Sequence, residues 1–328
     1  MTLMLKASEL EALADMPGTI AAVERAFVEL SRGAAVQPAP DSLILPSSDA
    51  RFLPMAALSD IDELAAVKML ADIPGNRAVS LPTQRSTIML VSRLTGETLA
   101  ILDGKVPTRV RTAAASAVAT KLLARSGSTT LGLVGAGALA VAHVEAMIAV
   151  RPIEKVVVWS RSPETVEAFC REIAHHGLAV GRAVSVQEVV EEADVLCTLT
   201  PAVEPLVKGK WFRPGLHVNA VGSRPRADHR EIDSEGMARA KVFVDSLPTA
   251  KAKSGGLIIP VGEGVMTFDD VEAEIGDVAA GSKRGRTSDE DVTLFNSVGI
   301  GLQDLAIGRI LYDAALSQGL GTRVEMAG

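Results

Sequence analysis

Small residues stand close together at Gly135, Gly137 and Ala140, after a strand-like run and before a helix-like run. This spacing lets the backbone bend tightly, approach a ligand closely and pack the next helix against a sheet. Free amides at the start of that helix favour an anion such as the pyrophosphate of a dinucleotide. We therefore expect this anion at Gly135, Ala136, Gly137, Ala138 and Leu139. The alternative is a glycine turn that only closes a strand–helix unit.

The end of the next predicted strand bears on which dinucleotide would bind. An NAD site usually carries an aspartate or glutamate about 20 residues after the glycines, where it binds the ribose hydroxyls. This chain has Ser160, Arg161 and Ser162 there instead. An arginine with neighbouring hydroxyls suits a 2′-phosphate, so the pattern favours NADP(H), with NAD(H) as the alternative. Arg161 could also stack on the adenine or cap the following helix.

Two cations occur in apolar surroundings nearer the N-terminus. Lys68 lies in "AAVKML", a strand too apolar for a solvated lysine, and Arg111 lies in "TRVRTAAA" at the start of an apolar helix. Arg111 could bind a carboxylate through two hydrogen bonds, and Lys68 could direct a charge or a proton at a reacting centre. Together they suggest a small substrate with a carboxylate. The alternative is that both are surface residues with covered aliphatic stems.

Other chemistries lack their signatures. The sequence has no Gly-x-Ser-x-Gly elbow, no His-Glu-x-x-His motif and no metal-ligand spacing among its five histidines, so we expect no metal site. Cys170 and Cys197 match no zinc or redox motif. These features favour a reducing, cytoplasmic environment, as does the lack of a signal-peptide pattern or a membrane-length apolar run. A formal charge of −7 argues against nucleic-acid binding.

The elements that must position these residues suggest two domains in 328 residues. Ser8 and Glu11, in capping-box spacing, predict a first helix, and a second is predicted from Thr19 to about Ser31. Strands such as "RFLPMAAL" and "STIMLVS" then predict a mostly antiparallel sheet, and residues 106–125 predict a helix. From Thr129, strands and helices alternate, which is typical of a parallel, doubly wound sheet. A long helix is predicted near the C-terminus.

Several stretches together resemble the ornithine cyclodeaminase/mu-crystallin family. They include "LPTQRSTIMLVSRLTGETLAILDGKVPTRVRTAAASAVATKLLAR", "GAGALA", "GLHVNAVGSRP" and "TLFNSVGIGLQDLAIGRILYDAA". The resemblance covers nearly the whole chain. It implies a homodimer whose chains each combine a Rossmann domain for NAD(P), residues 113–298, with a substrate and dimerisation domain, residues 1–112 and 299–328. The fold class expected is therefore α/β.

The same resemblance assigns roles to individual residues. Lys68 falls on the lysine that contacts the substrate, and Arg111 falls on the arginine that binds its carboxylate. Gln84 and Ser223 fall at substrate positions. The residues that would line the dinucleotide are Thr198, Thr200, Asn219, Val221 and Ser297.

Two departures from the family pattern bear on the substrate. The cyclodeaminases place an aspartate just after the Val-Gly of "NAVG", whereas this chain continues with Ser223, Arg224 and Pro225, as mu-crystallin does. Cyclodeamination is therefore disfavoured. The family also has an arginine in the early "QP" region, where this chain reads "QPAPDS", and Arg51 is a candidate replacement.

These observations lead to an expected NAD(P)H-dependent oxidoreductase. It would reduce the C=N bond of a small ketimine or cyclic imino acid, such as pyrroline- or piperideine-2-carboxylate, or act as an amino-acid dehydrogenase. Glu274 in "EAEIGD" is a further candidate for proton relay, unless it is only a carboxylate at a helix N-terminus. The alternatives are a cyclodeaminase with recycled NAD and a non-catalytic, crystallin-like binding protein.

Overall fold

The computed structural model describes residues 1–326, and its elements are numbered here in chain order. The strands are Thr2–Leu5 (β1), Ala35–Val36 (β2), Leu43–Ile44 (β3), Arg51–Ser59 (β4), Leu64–Asp72 (β5), Gln84–Ser92 (β6), Thr98–Asp103 (β7), Thr130–Val134 (β8), Lys155–Trp159 (β9), Ala179–Arg182 (β10), Val195–Thr198 (β11), His217–Ala220 (β12), Lys241–Val244 (β13), Val271–Glu274 (β14), Thr293–Asn296 (β15) and Thr322–Val324 (β16). The α-helices are Ala7–Leu13 (α1), Met16–Ser31 (α2), Lys105–Leu123 (α3), Ala138–Ile148 (α4), Pro163–Ile173 (α5), Val186–Glu192 (α6), Ser234–Arg239 (α7), Leu247–Lys253 (α8), Gly255–Gly262 (α9), Ile275–Ala279 (α10) and Gly301–Gln318 (α11).

The chain divides into two compact units. Unit 1 comprises Met1–Arg111 and Ile300–Gly328, and unit 2 comprises Thr112–Gly299. Across residues 1–326, the helices are too short or too polar to span a lipid bilayer.

Unit 1 contains a mixed sheet with strand order β16-β1-β7-β6-β5-β4-β2, and β3 pairs with β4. β1 and β7 are parallel, and β4, β5, β6 and β7 are successively antiparallel. In β5, Leu64, Ala66 and Lys68 are buried at alternate positions, which places them on one face of the sheet. α11 packs against β4, β5 and β6. The burial pattern therefore places Lys68 among core residues.

The opposite face of this sheet is apolar and open. Met89 lies opposite Val67 on β5 and opposite Ile101 on β7, and Ile101 lies opposite Met4 on β1. Met4 and Met89 are 44% and 37% exposed, so residues 1–326 leave this row uncovered. We call the row Met4, Ile101, Met89 and Val67 the outer face.

The N-terminal helix prediction is wrong in its details. The chain begins with β1, and α1 starts at Ala7, so Ser8 lies inside the helix and does not cap it. Glu9, not Glu11, reaches back, because the backbone N–H of Lys6 donates to Glu9 Oε2 at 2.9 Å. Glu11 instead forms an ion pair with Arg109.

The second helix also starts earlier than predicted. α2 begins at Met16 because Asp15 caps it, accepting a hydrogen bond from the backbone N–H of Gly18 at 3.1 Å. Thr19 is therefore an internal position, whose hydroxyl donates to the Asp15 carbonyl.

Unit 2 contains a parallel sheet with strand order β10-β9-β8-β11-β12-β15-β13-β14. The order proceeds from β8 to β10 in one direction and from β8 through β11 to β12 in the other, so it reverses between β8 and β11. Ligands of such sheets bind outside the carboxyl ends of the strands at this reversal. This sheet and the α/β lobe of unit 1 confirm the predicted fold class.

Candidate functional site

The glycine turn lies at the reversal, directly after β8. Gly135 has a φ of +113°, a conformation that favours glycine. Its N–H donates to the carbonyl of Trp159 at 2.9 Å. A Cβ at Gly135 would lie 2.9 Å from the carbonyl oxygen of Leu199. The chain therefore needs glycine here to bring the ends of β8 and β9 and the loop after β11 together.

α4 begins directly after Gly137, which is its N-cap. A Cβ at Gly137 would meet open space, and Gly137 and Ala138 are both exposed. Ala136 and Ala140 are buried, so these two residues anchor the turn in the interior of unit 2. The first amides of a helix lack partners within the helix and carry the positive end of its dipole. The residues present therefore fit a dinucleotide pyrophosphate.

His143 supports the first turn of α4 from the interior. Its Nδ1 lies 2.8 Å from the carbonyl oxygen of Leu139, and its Nε2 lies 3.0 Å from Ser116 Oγ. Burial lowers the pKa of His143 to about 4, against the opposing effect of the hydrogen bond with Leu139. The ring is therefore neutral near pH 7, and the Leu139 carbonyl assigns the proton to Nδ1.

The end of β9 carries no carboxylate. Arg161 is exposed, and Ser160 is partly exposed. Ser162 caps α5, because its Oγ accepts a hydrogen bond from the N–H of Thr165 at 3.3 Å and donates to Glu164 at 2.6 Å. The helix cap considered for Arg161 is thus supplied by Ser162.

Three of the residues predicted from the resemblance to line the dinucleotide, Thr198, Asn219 and Ser297, are buried. Thr198 Oγ donates to Glu231 Oε2 at 2.8 Å, and Asn219 Nδ2 donates to Thr120 Oγ1 at 2.9 Å. Neither Thr198 nor Asn219 exposes any surface. The structure places both behind the loops that follow β11 and β12.

Thr200, Val221 and Ser297, also predicted to line the dinucleotide, lie in loops that follow strands, as does Ser223, which is predicted at a substrate position. Thr200, Val221 and Ser223 are partly exposed. Ser297 Oγ donates to Asp245 Oδ2 at 3.1 Å, and the same oxygen accepts the N–H groups of Val298 at 2.9 Å and Gly299 at 2.7 Å. Sequence reasoning missed Asp245, although it directly follows the apolar strand β13.

Glu274 ends β14 and precedes α10. Its Oε1 accepts a hydrogen bond from the N–H of Leu247, the first residue of α8, at 2.7 Å. Burial raises the pKa of Glu274, against the opposing effect of this hydrogen bond. The contact observed is thus with a helix N-terminus, which was the alternative to a proton relay.

The two cations in unit 1 meet on one carboxylate. Lys68 Nζ lies 2.6 Å from Asp304 Oδ2, and Arg111 Nε donates to Asp304 Oδ1 at 3.1 Å. Arg111 Nη1 also donates to Gln303 Oε1 at 2.8 Å. Lys68 and Arg111 are 1% and 5% exposed, so the surface interpretation of both does not hold. β5, α3 and α11 supply the cluster.

The charge state of Lys68 is finely balanced. Burial lowers its pKa from 10.5 to about 8, Asp304 raises it, and Arg111 lowers it further. Lys68 can therefore hold or release a proton near physiological pH, as groups that transfer protons must.

Asp304 and Gln303 were missed by sequence reasoning. Both are buried on α11, 1% exposed, next to Leu302 and Leu305, which are also buried. A polar pair within an apolar helix was the available signal, because buried acids need a partner. Their partners are more than 190 residues away in sequence.

Arg51 and Gln84 lie opposite the same residue of β5. Asp72 pairs in register with Arg51 on β4 and with Gln84 on β6, and Gln84 Nε2 donates to Asp72 Oδ1 at 3.5 Å. Asp72 is four residues from Lys68 on the same strand and so shares its face. Arg51 and Gln84 therefore lie farther along that face than Lys68.

The chain is similar to known proteins over nearly its whole length. The model of the ornithine cyclodeaminase/mu-crystallin family matches residues 1–319. A Delta(1)-pyrroline-2-carboxylate reductase of Bacillus cereus is 37% identical over 325 residues, 98% of this chain and 99% of that protein.

Two solved structures are similar over nearly the whole chain. One is Delta(1)-pyrroline-2-carboxylate reductase of Thermococcus litoralis with NADH and L-proline, at a TM-score of 0.94 and 37% identity, covering 98% of this chain and 100% of that one. The other is an archaeal alanine dehydrogenase dimer with bound NAD, at a TM-score of 0.92 and 34% identity, covering 99% of each chain.

Removing the shared carboxylate tests its role. Asp304→Asn should lower the free energy of unfolding by about 3 kcal/mol or more, because it leaves two buried cations without their counter-charge. Asp313→Asn is the matched control on α11, because Asp313 forms an exposed ion pair with Arg309. It should change stability by about 0.5 kcal/mol or less. Denaturant unfolding measures both, and equal losses would contradict the assignment.

Proposed function

Because this chain belongs to the ornithine cyclodeaminase/mu-crystallin family, we propose that it is an NAD(P)H-dependent oxidoreductase acting on small imino and amino acids. Its reaction would be the reduction of a C=N bond next to a carboxylate, or the reverse oxidation of the amino acid. The observation that carries this proposal is the buried cluster of Lys68 and Arg111 on Asp304, in a chain that also has a glycine turn suited to a dinucleotide.

Arg111 would hold the substrate carboxylate. A guanidinium presents planar donors that match a carboxylate, and Asp304 and Gln303 fix its orientation from the protein side. Fixing the carboxylate orients the neighbouring C=N carbon, which makes the reaction effectively unimolecular.

Lys68 would act on the nitrogen of the imine. Its ammonium could polarise the C=N bond and hold the proton that the nitrogen needs, since a nearby positive charge has a stronger effect in a water-poor site than in water. A nicotinamide coenzyme, when bound, supplies or accepts the hydride. Glu274 remains a less favoured candidate for proton relay.

Two features of the sequence bear on the substrate. Ser223 stands where cyclodeaminases of the family carry an aspartate, which favours reduction over ring-closing deamination. Arg51 and Gln84, beyond Lys68 on the same sheet face, are the residues we propose for contacts with the rest of the substrate.

An assay with separate coenzymes tests the proposed function. NADH and NADPH would each be offered with cyclic imino acids and with 2-oxo acids plus amines, and absorbance of the reduced nicotinamide would be followed. We expect oxidation with at least one cyclic or acyclic imino acid. Release of ammonia from ornithine without net absorbance change would favour a cyclodeaminase. Coenzyme binding with no turnover on any substrate would favour a binding protein.

The pH profile tests Lys68. If its ammonium assists reduction, kcat/KM should fall as pH rises through about 8, because the lowered pKa removes the proton there. Lys68→Arg should lower the rate but abolish this fall, since arginine keeps its charge. Lys155→Met is the control, because Lys155 forms a half-exposed ion pair with Glu192 on unit 2. An unchanged profile in Lys68→Arg would contradict the role.

For the coenzyme, we propose NADP(H) as the preferred form, with NAD(H) also accepted. The similar solved structures hold NADH or NAD, so NAD(H) use has direct support from relatives. The preference for NADP(H) rests on the exposed Arg161 and on a β9 end without a carboxylate.

Replacing Arg161 tests this preference. Arg161→Ala should raise KM for NADPH about tenfold, because a charge-assisted hydrogen bond to phosphate is lost, and leave KM for NADH within about twofold. Arg171→Ala, at an exposed position on α5, is the control. Equal effects on both coenzymes would contradict a phosphate-binding role.

We also propose that the outer face of unit 1 joins two chains into a homodimer. A row of exposed methionines on a sheet is an unusual surface for a monomer, and α11 packs on the other face of the sheet, where Asp304 meets Lys68. The dimeric alanine dehydrogenase among its structural relatives supports this assembly.

A charge on the outer face tests the dimer. Met89→Lys should reduce the mass measured by light scattering toward that of one 34.2 kDa chain, because it puts a charge into an apolar contact. Val184→Lys, at a position 89% exposed in unit 2, should leave the mass unchanged. A wild-type protein of one-chain mass would contradict the proposal directly.

A further inference from the structure

Glu231 is a buried acid in unit 2 that neither motif nor resemblance singled out. It lies between β12 and α7 and is 3% exposed. Its carbonyl accepts the N–H groups of Leu206 and Val207, both at 2.9 Å. The backbone of this residue is therefore held to the segment that follows the loop after β11.

The Glu231 carboxylate accepts four hydrogen bonds, from the end of β11 and from the loops after β11 and β12. Oε1 accepts the N–H and the hydroxyl of Thr200, both at 2.7 Å. Oε2 accepts the hydroxyl of Thr198 and the N–H of Gly222, both at 2.8 Å. One side chain thus joins the carboxyl end of β11 to the loop after β12.

The two loops also touch each other directly. A Cβ at Gly222 would lie 2.2 Å from the backbone nitrogen of Thr200, closer than any side chain allows. The spacing of the loops is therefore set at backbone distance, and the carboxylate is the group that ties their donors together.

We propose that Glu231 is a positioning residue for the dinucleotide, an inference that rests on the proposed function. It fixes the loop residues Thr200 and Val221, which are partly exposed and expected to line the coenzyme, relative to each other. Its effect is on coenzyme affinity, through the loops, and not on the reacting atoms.

The hydrogen bonds require a carboxylate and not an amide. Each oxygen of Glu231 faces one backbone N–H and one threonine hydroxyl. A hydroxyl can rotate and accept, whereas a backbone N–H can only donate. In either orientation of its amide, a glutamine would therefore place its NH₂ group, which donates, against a backbone N–H that also donates. Burial raises the pKa of Glu231, and the four hydrogen bonds oppose this rise without cancelling it.

Calorimetric titration of the whole protein with NADH and NADPH, without substrate, tests the inference. Glu231→Gln should lower the affinity for the coenzyme that the wild type binds more tightly, by tenfold or more. Glu231→Asp keeps both carboxylate oxygens, so it should lose less coenzyme affinity than Glu231→Gln does. In turnover, Glu231→Gln should raise KM for the coenzyme and change kcat at saturating coenzyme less than threefold.

Glu29→Gln is the matched control. Glu29 is also a buried acid, and it accepts hydrogen bonds from Ser59 and Arg25 in unit 1. Its variant should lose thermal stability and keep coenzyme affinity within twofold. An equal loss of affinity in Glu29→Gln would overturn the inference, because the effect would then follow stability alone.

Other results separate the inference from the function beneath it. If the wild type binds a coenzyme and Glu231→Gln binds it with an affinity within twofold of wild type, the positioning role is overturned. The oxidoreductase proposal is then unaffected. Absence of binding of either coenzyme to wild type overturns the proposed function itself. If Glu231→Gln does not fold, Glu231→Asp is the test variant. A coenzyme affinity equal to that of wild type in Glu231→Asp would overturn the inference.

Discussion

The carboxylate of Asp304 is the interaction on which unit 1 depends. It holds two buried cations, Lys68 and Arg111, within 3.1 Å. A buried charge is strongly unfavourable without a partner, and a shared carboxylate compensates two of them at once. The helix α11 therefore supplies the counter-charge for cations on β5 and α3, and unit 1 is complete only when residues after 300 pack onto β5.

Buried acids organise unit 2 as well, but they gather neutral donors. Glu231 collects hydroxyl and amide groups from the loops after β11 and β12, and Asp245 collects them from residues 297–299. These loops follow adjacent parallel strands, where the backbone has left the regularity of the sheet and its N–H groups need acceptors. A carboxylate supplies several acceptors from one side chain, which makes irregular loops rigid without covering them.

Much of this architecture could be predicted from local patterns. The strand, the glycine spacing and the helix around Gly135 are contiguous, so their geometry follows from a few residues. An apolar strand containing Lys68 likewise indicated a buried cation. What local patterns could not supply was the partner, because Asp304 lies more than 190 residues from Arg111.

Other parts of the structure give weak local signals in the sequence, for physical reasons. β10 ("AVGR") and β14 ("VEAE") are four-residue strands without an apolar run. They form the two edges of the unit 2 sheet, where a strand has only one neighbouring strand. The family resemblance implies that Thr198 and Asn219 line the coenzyme, and the structure places both within strands β11 and β12, without exposed surface. Their burial depends on Glu231 and Thr120, which sequence position alone does not reveal.

The pairing of β1 with β16 brings the beginning and the end of the described chain side by side. Thr2 lies opposite Val324 in an antiparallel ladder, so these two backbones are separated by only the distance between neighbouring strands. A linker of a few residues could therefore connect them, and the polypeptide could be opened at an exposed turn elsewhere without changing which strands are neighbours. The order of neighbouring strands in the unit 1 sheet is therefore separable from the order of those strands along the chain.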